Sequence, residues 1–348
     1  MSHNLNLIHQ NNTILDALKR INSMVEMPLV LFVLDDESKM VGTLTDGDIR
    51  RALISGAQVD TPISEAMRKE FRFIRHGESD DVRILRDLKT QKITLIPILD
   101  DTDRIVEIIN LEKFINRLPI DAVLMAGGKG ERLRPLTEKT PKPLIKVGDK
   151  AIIDYNVERL ISFGVKHINV TVNYLKEQLI DHFAQPFHSI QVNTVSEPKF
   201  LGTMGSIKFV KEFNNDVVLM MNSDIFTNID YEKFYLHFKE HNADMSIVAV
   251  PYTVTVPYGI FSLEGREVTG LLEKPTYNYY SNAGIYLFKR ELLDLIPEDT
   301  FYNATDFIEM LVEKKYKVVR YPFNGTWIDI GNHQEYQKAN ELVKHIQF

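Results

Sequence analysis

A glycine-rich, cationic segment directly after a short apolar run restricts the fold of this chain more than any other feature. The apolar run ends at Met125, and Gly127, Gly128 and Gly130 follow it. Cationic side chains lie among or soon after these glycines: Lys129, Arg132, Arg134 and Lys142. Glycine lets backbone N–H groups approach an anion closely, while Lys and Arg add positive charge. The segment is therefore predicted to bind phosphate, in a spacing that is neither G-x-x-x-x-G-K-[ST] nor G-x-G-x-x-G.

Apolar strands and amphipathic helices alternate along the chain after Pro119. The pattern predicts strands at 122–125, 168–173, 190–195 and 217–222, and helices at 151–163, at 176–183, after Gly205 and at 333–345. Such alternation predicts an α/β fold with a mostly parallel sheet and ligands at the carboxyl ends of its strands. Strands at 245–250, 259–263 and 268–272 predict an inserted antiparallel segment beside a substrate pocket.

Composition excludes several classes of protein. A length of 348 residues is enough for two domains, and a net charge of −7 argues against nucleic acid as the main partner. The chain has no cysteine, no apolar run long enough to span a membrane and no signal-peptide pattern. We therefore expect a cytoplasmic protein with a small phosphorylated ligand and without a membrane partner.

The first 118 residues contain a weak internal repeat. The segment 34–41 recurs at a constant offset as 99–106, and each copy has the pattern of a strand, an acidic turn and a second strand. Helical patterns precede the copies at 13–25 and 80–91 and follow them at 48–55 and 112–117. The repeat predicts an α+β unit built from two similar halves.

These halves resemble a pair of cystathionine-β-synthase (CBS) motifs, because the strand that ends at Thr45 is followed by Asp48 and a helix. The resemblance implies that Thr45 and Asp48 bind the phosphate and ribose of AMP or ATP. In the second copy Glu107, Asn110 and Lys113 stand where the first has Gly42, Thr45 and Asp48, so at most one nucleotide site is expected. The alternative is that Asp48 only caps the helix and that the pair serves for dimerisation.

The order G-G-x-G-x-R-L-x-P-x-T, followed by P-K-P, resembles the signature of the sugar-1-phosphate nucleotidylyltransferases. The resemblance implies a CBS pair at 1–118 and a Rossmann-like, GT-A-like transferase domain at 119–348. It also implies nucleoside triphosphate (NTP) and sugar 1-phosphate as substrates, and a homo-oligomer. Within the family, the segment G-K-G-E-R-L-R-P-L-T and the N-terminal CBS pair most resemble bacterial guanylyltransferases.

Two aspartates are predicted to hold a divalent metal ion. Asp224 comes directly after the wholly apolar strand at 217–222, and Asp329 lies in a W-x-D-x-G segment. Both positions match the metal ligands of the nucleotidylyltransferases, which implies Mg²⁺ or Mn²⁺ as cofactor. Oxygen ligands at a strand's carboxyl end suit such a hard cation. Taken singly, either residue could also cap a turn or lie in an ordinary loop.

The same resemblance assigns the remaining site residues. Arg132 would hold the leaving pyrophosphate and Lys142 a reacting phosphate. The predicted nucleotide-binding residues are Leu124, Ala126, Gly127, Gly128, Lys129, Gly130, Glu131, Gly202 and Thr203. The predicted sugar-phosphate residues are Glu197, Gly259, Glu273, Lys274, Asn282 and Gly284. For Glu273 and Lys274 the alternative is a surface pair before a proline turn, and for Gly202 a helix-start glycine.

The reaction expected is nucleotidyl transfer, with GTP and glucosamine 1-phosphate favoured as substrates. Mannose 1-phosphate, heptose 1-phosphate and uridylyl, thymidylyl or cytidylyl transfer are alternatives. From other classes, a non-catalytic nucleotide sensor and an assembly scaffold remain open. His237 and His241 share a helix face, but no third zinc ligand is evident, so they are interpreted as structural. The stripe formed by Tyr231, Phe234, Tyr235 and Phe238 is interpreted as core packing.

Overall fold

The computed structural model describes residues 6–24, 28–76, 81–112 and 118–344. The chain separates into two compact units, Met1–Asn116 and Arg117–Phe348, close to the predicted boundary. None of the helices in the described ranges has the length and hydropathy that a membrane span requires. Each unit has its own buried apolar clusters.

The N-terminal unit consists of two three-stranded sheets with flanking helices. Its strands are β1 (Leu7–His9), β2 (Val30–Leu34), β3 (Met40–Thr45), β4 (Ile74–Arg75), β5 (Leu95–Leu99) and β6 (Ile105–Asn110). Its helices are α1 (Ile14–Asn22), α2 (Asp46–Ile54) and α3 (Val82–Thr90). In both sheets a parallel pair is followed by an antiparallel pair, in the orders β1-β2-β3 and β4-β5-β6.

The repeat seen in the sequence is present in the backbone. Leu31 faces Leu44 in the first sheet, and at the same offset Ile96 faces Ile109 in the second. Each antiparallel pair has one register shift, and these shifts also occur at equivalent positions. The backbones of the equivalent residues Lys39 and Arg104 pair in an isolated antiparallel β-bridge. Pairing of equivalent positions relates the two halves by an approximate two-fold axis. Most of the predicted helix at 112–117 lies outside the described residues.

The C-terminal unit is built around one seven-stranded sheet. Its strands are β7 (Asp121–Met125), β8 (Lys146–Val147), β9 (Lys150–Ala151), β10 (His167–Val172), β11 (Val192–Ser196), β12 (Val217–Asn222), β13 (Ile225–Thr227), β14 (Met245–Thr255), β15 (Ile260–Glu264), β16 (Glu267–Leu272), β17 (Thr276–Lys289), β18 (Val318–Pro322) and β19 (Trp327–Asp329). Its helices are α4 (Ile152–Ser162), α5 (Lys176–His182), α6 (Gly202–Gly205), α7 (Tyr231–Glu240), α8 (Ala304–Glu313) and α9 (His333–Leu342). The sheet order is β11-β10-β7-β12-β17-β14-β18, and every strand except β17 runs in the same direction. The expected α/β class with a mostly parallel sheet is therefore confirmed.

The strands that follow β7 in the chain are added first on one side of β7 and then on the other. The connection from β7 leads outward to β10 and β11, whereas β12 pairs with the other side of β7. A crevice forms at such a switch point, outside the carboxyl ends of the strands. Four predicted or newly seen site features come directly after parallel strands: the glycine-rich segment after β7, Asn173 after β10, Glu197 after β11 and Asp224 after β12. They therefore lie at the carboxyl ends of these strands, on the same side of the sheet.

Helix α7 packs its aromatic stripe into the core. Tyr231, Phe234, Tyr235 and Phe238 are all buried, as expected for a helix whose apolar side chains recur at helical spacing. The helix begins at an Asp230 cap whose side chain accepts from the Lys233 amide.

The predicted helix after Gly205 is wrong. Helix α6 ends at Gly205, and only a short 3₁₀ turn, Ser206–Phe209, follows. The backbone amides of Met204 and Gly205 donate to the Tyr302 carbonyl, which ties the segment to the loop before α8. Two glycines within four residues also make a longer helix costly.

Candidate active site

The glycine-rich segment forms a loop at the end of β7. Gly130 has a φ of 61°, and a Cβ there would lie 2.9 Å from Thr137 Cγ2. A Cβ on Gly127 would lie 2.6 Å from Glu197 Oε1, so any side chain there would have to displace the Glu197 carboxyl group. Gly128 faces open space, with no atom within 4 Å of the position that its Cβ would take. The loop therefore offers its backbone to a ligand.

A cavity of about 580 Å³ opens over this loop. Its lining residues are Gly127, Gly128, Lys129, Gly130, Glu131, Arg132, Lys142, Asn173, Phe200, Asp224 and Gly331. The guanidinium of Arg132 packs against Gly331, where a Cβ would lie 3.0 Å from Nη2. Three cationic side chains, Lys129, Arg132 and Lys142, thus line the cavity, which suits a polyanionic ligand.

Two distant aspartates converge on one lysine in this cavity. Lys142 is buried, and its Nζ forms an ion pair with Asp224 Oδ2 and lies 3.9 Å from Asp329 Oδ1. Strand β13, which follows Asp224, pairs with β19, and this pairing places Ile225 opposite Asp329. The backbone amide of Ile330 also donates to the Asp224 carbonyl. The sequence separates these carboxylates widely, and the strand pairing brings them together.

The electrostatics of the pair fit a cation. Burial raises the pKa of the Asp329 carboxyl, and the neighbouring Asp224 carboxylate raises it further, while Lys142 and Arg132 oppose the shift. Asp224 Oδ1 is buried without a hydrogen-bond partner. No cluster of three or more acidic, histidine or cysteine ligands exists within the described residues. Two carboxylates with a free oxygen suit a divalent ion that takes its other ligands from water and substrate phosphates.

Glu197, a predicted sugar-phosphate residue, lies next to Gly127 of the glycine loop. It follows β11, is 3% exposed, and its Oε2 has no hydrogen-bond partner. Burial raises the pKa of its carboxyl, against nearby hydrogen-bond donors that lower it. Its Oε1 is the atom that approaches Gly127. Its position adjoins the loop that the sequence assigned to the nucleotide.

The predicted sugar-phosphate residues fall into two groups. Asn282 and Gly284 lie on β17 next to the end of β12: a Cβ on Gly284 would lie 2.7 Å from Asn222 Nδ2. Gly259, Glu273 and Lys274 lie on an exposed antiparallel extension, where a Cβ on Gly259 would lie 3.1 Å from Glu273 Oε2. The cavity over the loop has neither group in its lining.

Gly202 and Thr203 have structural contacts of their own. Gly202 has a φ of 79° and packs against the Tyr302 carbonyl, and the Thr203 hydroxyl accepts from the Ala304 amide at the start of α8. Leu124 and Ala126 are buried beneath the loop. These residues support the cavity and do not line it.

Sequence reasoning missed Asn173, Phe200 and Gly331, which line the cavity. Asn173 follows the apolar strand β10, so the rule that placed Asp224 at a strand end could have found it. Phe200 is an aromatic side chain that is 50% exposed at the cavity. Only the fold reveals its place, since nothing in its local pattern distinguishes it from a loop residue.

In the N-terminal unit, Thr45 and Asp48 form a capping box at the start of α2. Asp48 Oδ2 accepts from the Thr45 amide and hydroxyl, and Oδ1 accepts from Arg51 and Arg68. These donors hold the pKa of Asp48 below its ordinary value, although burial opposes them. A separate cavity of about 360 Å³ is lined by both residues together with Arg68, Arg72, Lys92 and Thr94.

His237 and His241 stack, with ring centroids 4.1 Å apart. Burial, and then His241, lower the pKa of His237. The described residues contain no group of three metal-binding side chains that would include them.

Comparison with known proteins finds a family match in each unit. Residues 121–345 match the nucleotidyl transferase family, and residues 1–55 match the CBS domain. A Sulfolobus acidocaldarius protein, provisionally named a mannose-1-phosphate guanyltransferase, is 31% identical over 64% of this chain and 62% of its own length. The bifunctional protein GlmU of Methanocaldococcus jannaschii is 31% identical over 64% of this chain and 54% of its own length. The chain therefore spans less than two thirds of the length of these relatives.

Among solved structures, HddC from Yersinia pseudotuberculosis complexed with GMP-PN matches with a TM-score of 0.52 at 26% identity. The match covers 64% of this chain and 99% of HddC. The chain belongs to the nucleotidyl transferase family and has a CBS domain at its N-terminus. The family resemblance stated from the sequence is thus confirmed.

Proposed function

We propose that this chain transfers a nucleotidyl group from GTP to a sugar 1-phosphate and releases pyrophosphate. The observation that carries the proposal is the placement of Lys142 between Asp224 and Asp329, in the lining of the cavity over the glycine loop. The glycine loop and Arg132 would bind the triphosphate, and Lys142 would contact a reacting phosphate. Glucosamine 1-phosphate is the favoured acceptor. Mannose 1-phosphate is the alternative, which the name of the Sulfolobus relative favours.

The mechanism requires positioning and charge neutralisation. A phosphomonoester dianion is already a nucleophile, so its oxygen can attack the α-phosphorus in line while pyrophosphate leaves. The cationic side chains that line the cavity would bring two mutually repelling anions together and stabilise the charge that develops on the leaving group. Asp224 and Asp329 would hold Mg²⁺ or Mn²⁺, which would neutralise phosphate charge when bound.

We infer that the base is guanine, because a buried carboxylate lies beside the loop. The guanine edge presents two adjacent donors, N1–H and N2–H₂, which match the two acceptor oxygens of Glu197. Uracil and thymine present one N–H between two carbonyl oxygens, which a carboxylate would repel. Phe200, exposed at the same cavity, would stack on the base.

A pyrophosphate-release screen tests the reaction, with four triphosphates against a panel of sugar 1-phosphates in Mg²⁺. We expect release with GTP and at least one sugar 1-phosphate, and loss of release in Asp224→Asn. Binding of GTP without pyrophosphate release from any pair would instead indicate the sensor class.

Glu197→Gln tests the base assignment. Loss of a charged acceptor should lower the GTP-to-UTP ratio of kcat/KM by about tenfold to a hundredfold. The control is Glu177→Gln, an exposed residue of α5 that leaves the ratio unchanged. An unchanged ratio in Glu197→Gln would remove Glu197 from base recognition.

We also propose that the N-terminal cavity binds AMP or ATP. Its apolar residues Phe32 and Ile93 suit an adenine ring, while Arg68, Arg72 and Lys92 suit phosphates. In the complex, the ribose hydroxyls would replace one arginine as hydrogen-bond donors to the Asp48 carboxylate. The Arg51 and Arg68 side chains, which now donate to it, are largely exposed. Calorimetric titration with AMP should show binding that Arg72→Ala weakens and Arg50→Ala, on the exposed side of α2, does not.

A further inference from the structure

Phe200 is the only aromatic residue among the described residues that line the active-site cavity. It is half exposed and lies in a segment without regular secondary structure, between β11 and α6. An exposed side chain in such a segment can adopt several rotamers unless a neighbour restricts it. How well this ring can stack on a base therefore depends on what packs against it.

A second phenylalanine, distant in the sequence, packs against Phe200. The ring centroids of Phe200 and Phe301 are 5.9 Å apart, and the ring planes are tilted by 58°. This separation is within the range of about 4.5–7 Å at which aromatic pairs attract each other. Phe301 lies in the segment 296–303 directly before α8, which we call the α8 loop. It is not among the described residues that line the cavity, so it contacts Phe200 without taking the space of a base.

Backbone hydrogen bonds hold the α8 loop against the segment that follows Phe200. The Tyr302 amide donates to the Leu201 carbonyl at 3.0 Å. The Tyr302 carbonyl accepts from the amides of Met204 and Gly205 at 2.9 Å and 3.0 Å. Leu201 and Met204 are buried, so little water competes for these bonds. The residues that follow the two phenylalanines are therefore fixed next to each other.

An ion pair links the same two segments on the other side of the phenylalanine pair. Lys199 Nζ lies 2.9 Å from Asp299 Oδ2. Both side chains are exposed, so the ion pair adds little stability by itself. Together with the hydrogen bonds of Tyr302, it shows that the two segments run side by side. The contact between Phe200 and Phe301 lies between these two links.

The backbone links do not need a phenylalanine at position 301. Amide and carbonyl groups are present there whatever the side chain, proline excepted. Phe301 is 55% exposed, so its ring also buries little apolar area in the core. The aromatic contact that it makes is with Phe200. The ring of Phe301 therefore restricts the ring of Phe200 rather than the fold of the loop.

We propose that Phe301 is a positioning residue for nucleotide binding, which holds the Phe200 ring in the orientation that stacks on the base. The inference rests on the proposed function, in which Phe200 stacks on the base. A ring that is already ordered loses less conformational entropy when the base binds. Since every base has a π-face, the effect does not depend on which base the site prefers.

Calorimetric titration of the full chain with GTP and Mg²⁺, without a sugar 1-phosphate, tests the proposal. Phe200→Ala should weaken GTP binding about tenfold, as expected when one stacked ring is lost. Phe301→Ala should weaken it about threefold to fivefold, because the stacking ring remains but is less ordered. Phe301→Tyr retains the ring contact and should bind GTP within about twofold of the wild type.

Two comparisons separate positioning from a general loosening of the site. In the Phe200→Ala background, Phe301→Ala should have no further effect, because the ring that it positions is gone. Inorganic tripolyphosphate has no base, so the wild type and Phe301→Ala should bind it equally. A further loss in the double variant overturns the proposal, as does weaker tripolyphosphate binding in Phe301→Ala.

Phe73→Ala is the matched control. In the N-terminal unit, Phe71 and Phe73 form a similar pair, with ring centroids 6.0 Å apart and planes tilted by 55°. Phe73 is also exposed, so Phe73→Ala removes the same atoms from a comparable contact and should leave GTP binding unchanged. Circular dichroism and thermal melting verify that the variants fold. Equal weakening in Phe73→Ala and Phe301→Ala would overturn the proposal.

The order of the ring is measured in Phe200→Trp by time-resolved fluorescence anisotropy. The signal of Trp327, the one tryptophan of the chain, is recorded in the wild type and subtracted. We expect the indole at position 200 to lose more of its anisotropy when Phe301→Ala is added. Equal anisotropy with and without Phe301→Ala overturns the proposal.

The titrations also separate this proposal from the proposed function. Unchanged GTP binding in Phe301→Ala, together with weaker binding in Phe200→Ala, overturns the positioning role alone. Unchanged binding in both variants also overturns the stacking role of Phe200. If the wild type binds none of GTP, ATP, UTP and CTP, the proposed function fails and the inference fails with it.

Discussion

Lys142 has two roles that a single side chain can combine. It is buried, it pairs with Asp224, and it lies within 4 Å of Asp329, so without a metal ion it compensates two nearby carboxylates. In the proposed reaction its ammonium group also faces the substrate phosphates. A charge held in place before the reaction stabilises developing charge without reorganisation.

We predict that Lys142→Ala lowers the rate of pyrophosphate release by about a hundredfold to a thousandfold, as expected for the loss of one preorganised electrostatic group. Steady-state kinetics with saturating Mg²⁺ measure the effect. Lys146→Ala, which removes an exposed lysine from the same segment, is the control and should be close to wild type. Wild-type activity in Lys142→Ala would refute the assigned role.

His237 should make the stability of the C-terminal unit depend on pH. Its pKa is lowered by burial and by the stacked His241, while Glu240 opposes the shift; Tyr321 on β18 packs against the ring. A folded-state pKa below the ordinary value of about 6.5 means that the unfolded chain binds the proton more readily, so stability falls as the pH drops below that value.

The measurement is the melting temperature at pH 7.5 and at pH 5.5 for the wild type and His237→Gln. We expect the wild type to lose more on acidification than the variant, because carboxylates titrate alike in both. Equal losses would show that His237 does not contribute to the pH dependence.

At the scale of secondary structure, the short strand β19 determines where Asp329 lies. It has only three residues, pairs with β13, and is held by Trp327, whose Nε1–H donates to the Ala283 carbonyl of β17 at 3.0 Å. On the other side of the site, Ser223 Oγ donates to the Met125 carbonyl, and Asn156 donates to the Ser223 carbonyl. The two carboxylates are thus fixed by neighbours outside the cavity.

Trp327→Phe should therefore raise the Mg²⁺ concentration needed for half-maximal activity. Loss of one hydrogen bond of about 1 kcal/mol corresponds to about fivefold. A Mg²⁺ titration of pyrophosphate release measures it. Tyr336→Phe on α9, which also removes a bond to a backbone carbonyl, should leave the titration unchanged; equal shifts in both variants would mean a general loosening of the unit.

At the scale of the whole molecule, the chain consists of two units with separate cores. We predict that GTP with Mg²⁺ raises the melting temperature of the C-terminal unit alone. At a hundredfold excess over the dissociation constant the gain is about 2.7 kcal/mol, or about 5–10 °C.

Scanning calorimetry measures both transitions. Leu31→Ala, at a fully buried position of the N-terminal unit, serves as the reference and should lower only the other transition. A single transition that moves as one with either perturbation would contradict independent units.

Local pattern was sufficient for much of this protein. Apolar runs predicted the strand ends at Met125 and Asn222, and the spacing of the glycines predicted the loop. The constant offset between the two copies predicted the repeat of the N-terminal unit. The helix predicted after Gly205 was wrong, and the contact of the preceding Met204 and Gly205 amides with the Tyr302 carbonyl cannot be seen in a local window.

What the sequence alone determined is the set of chemical groups and the strand ends at which they lie, because the spacing of apolar and polar residues dictates helices and strands. Only the tertiary structure decided which groups meet. It paired β13 with β19, placed Lys142 between two aspartates, set Glu197 behind Gly127 and left most of residues 251–280 exposed. Such contacts join residues far apart in the chain, and their formation depends on how the whole sheet packs rather than on any neighbouring residues.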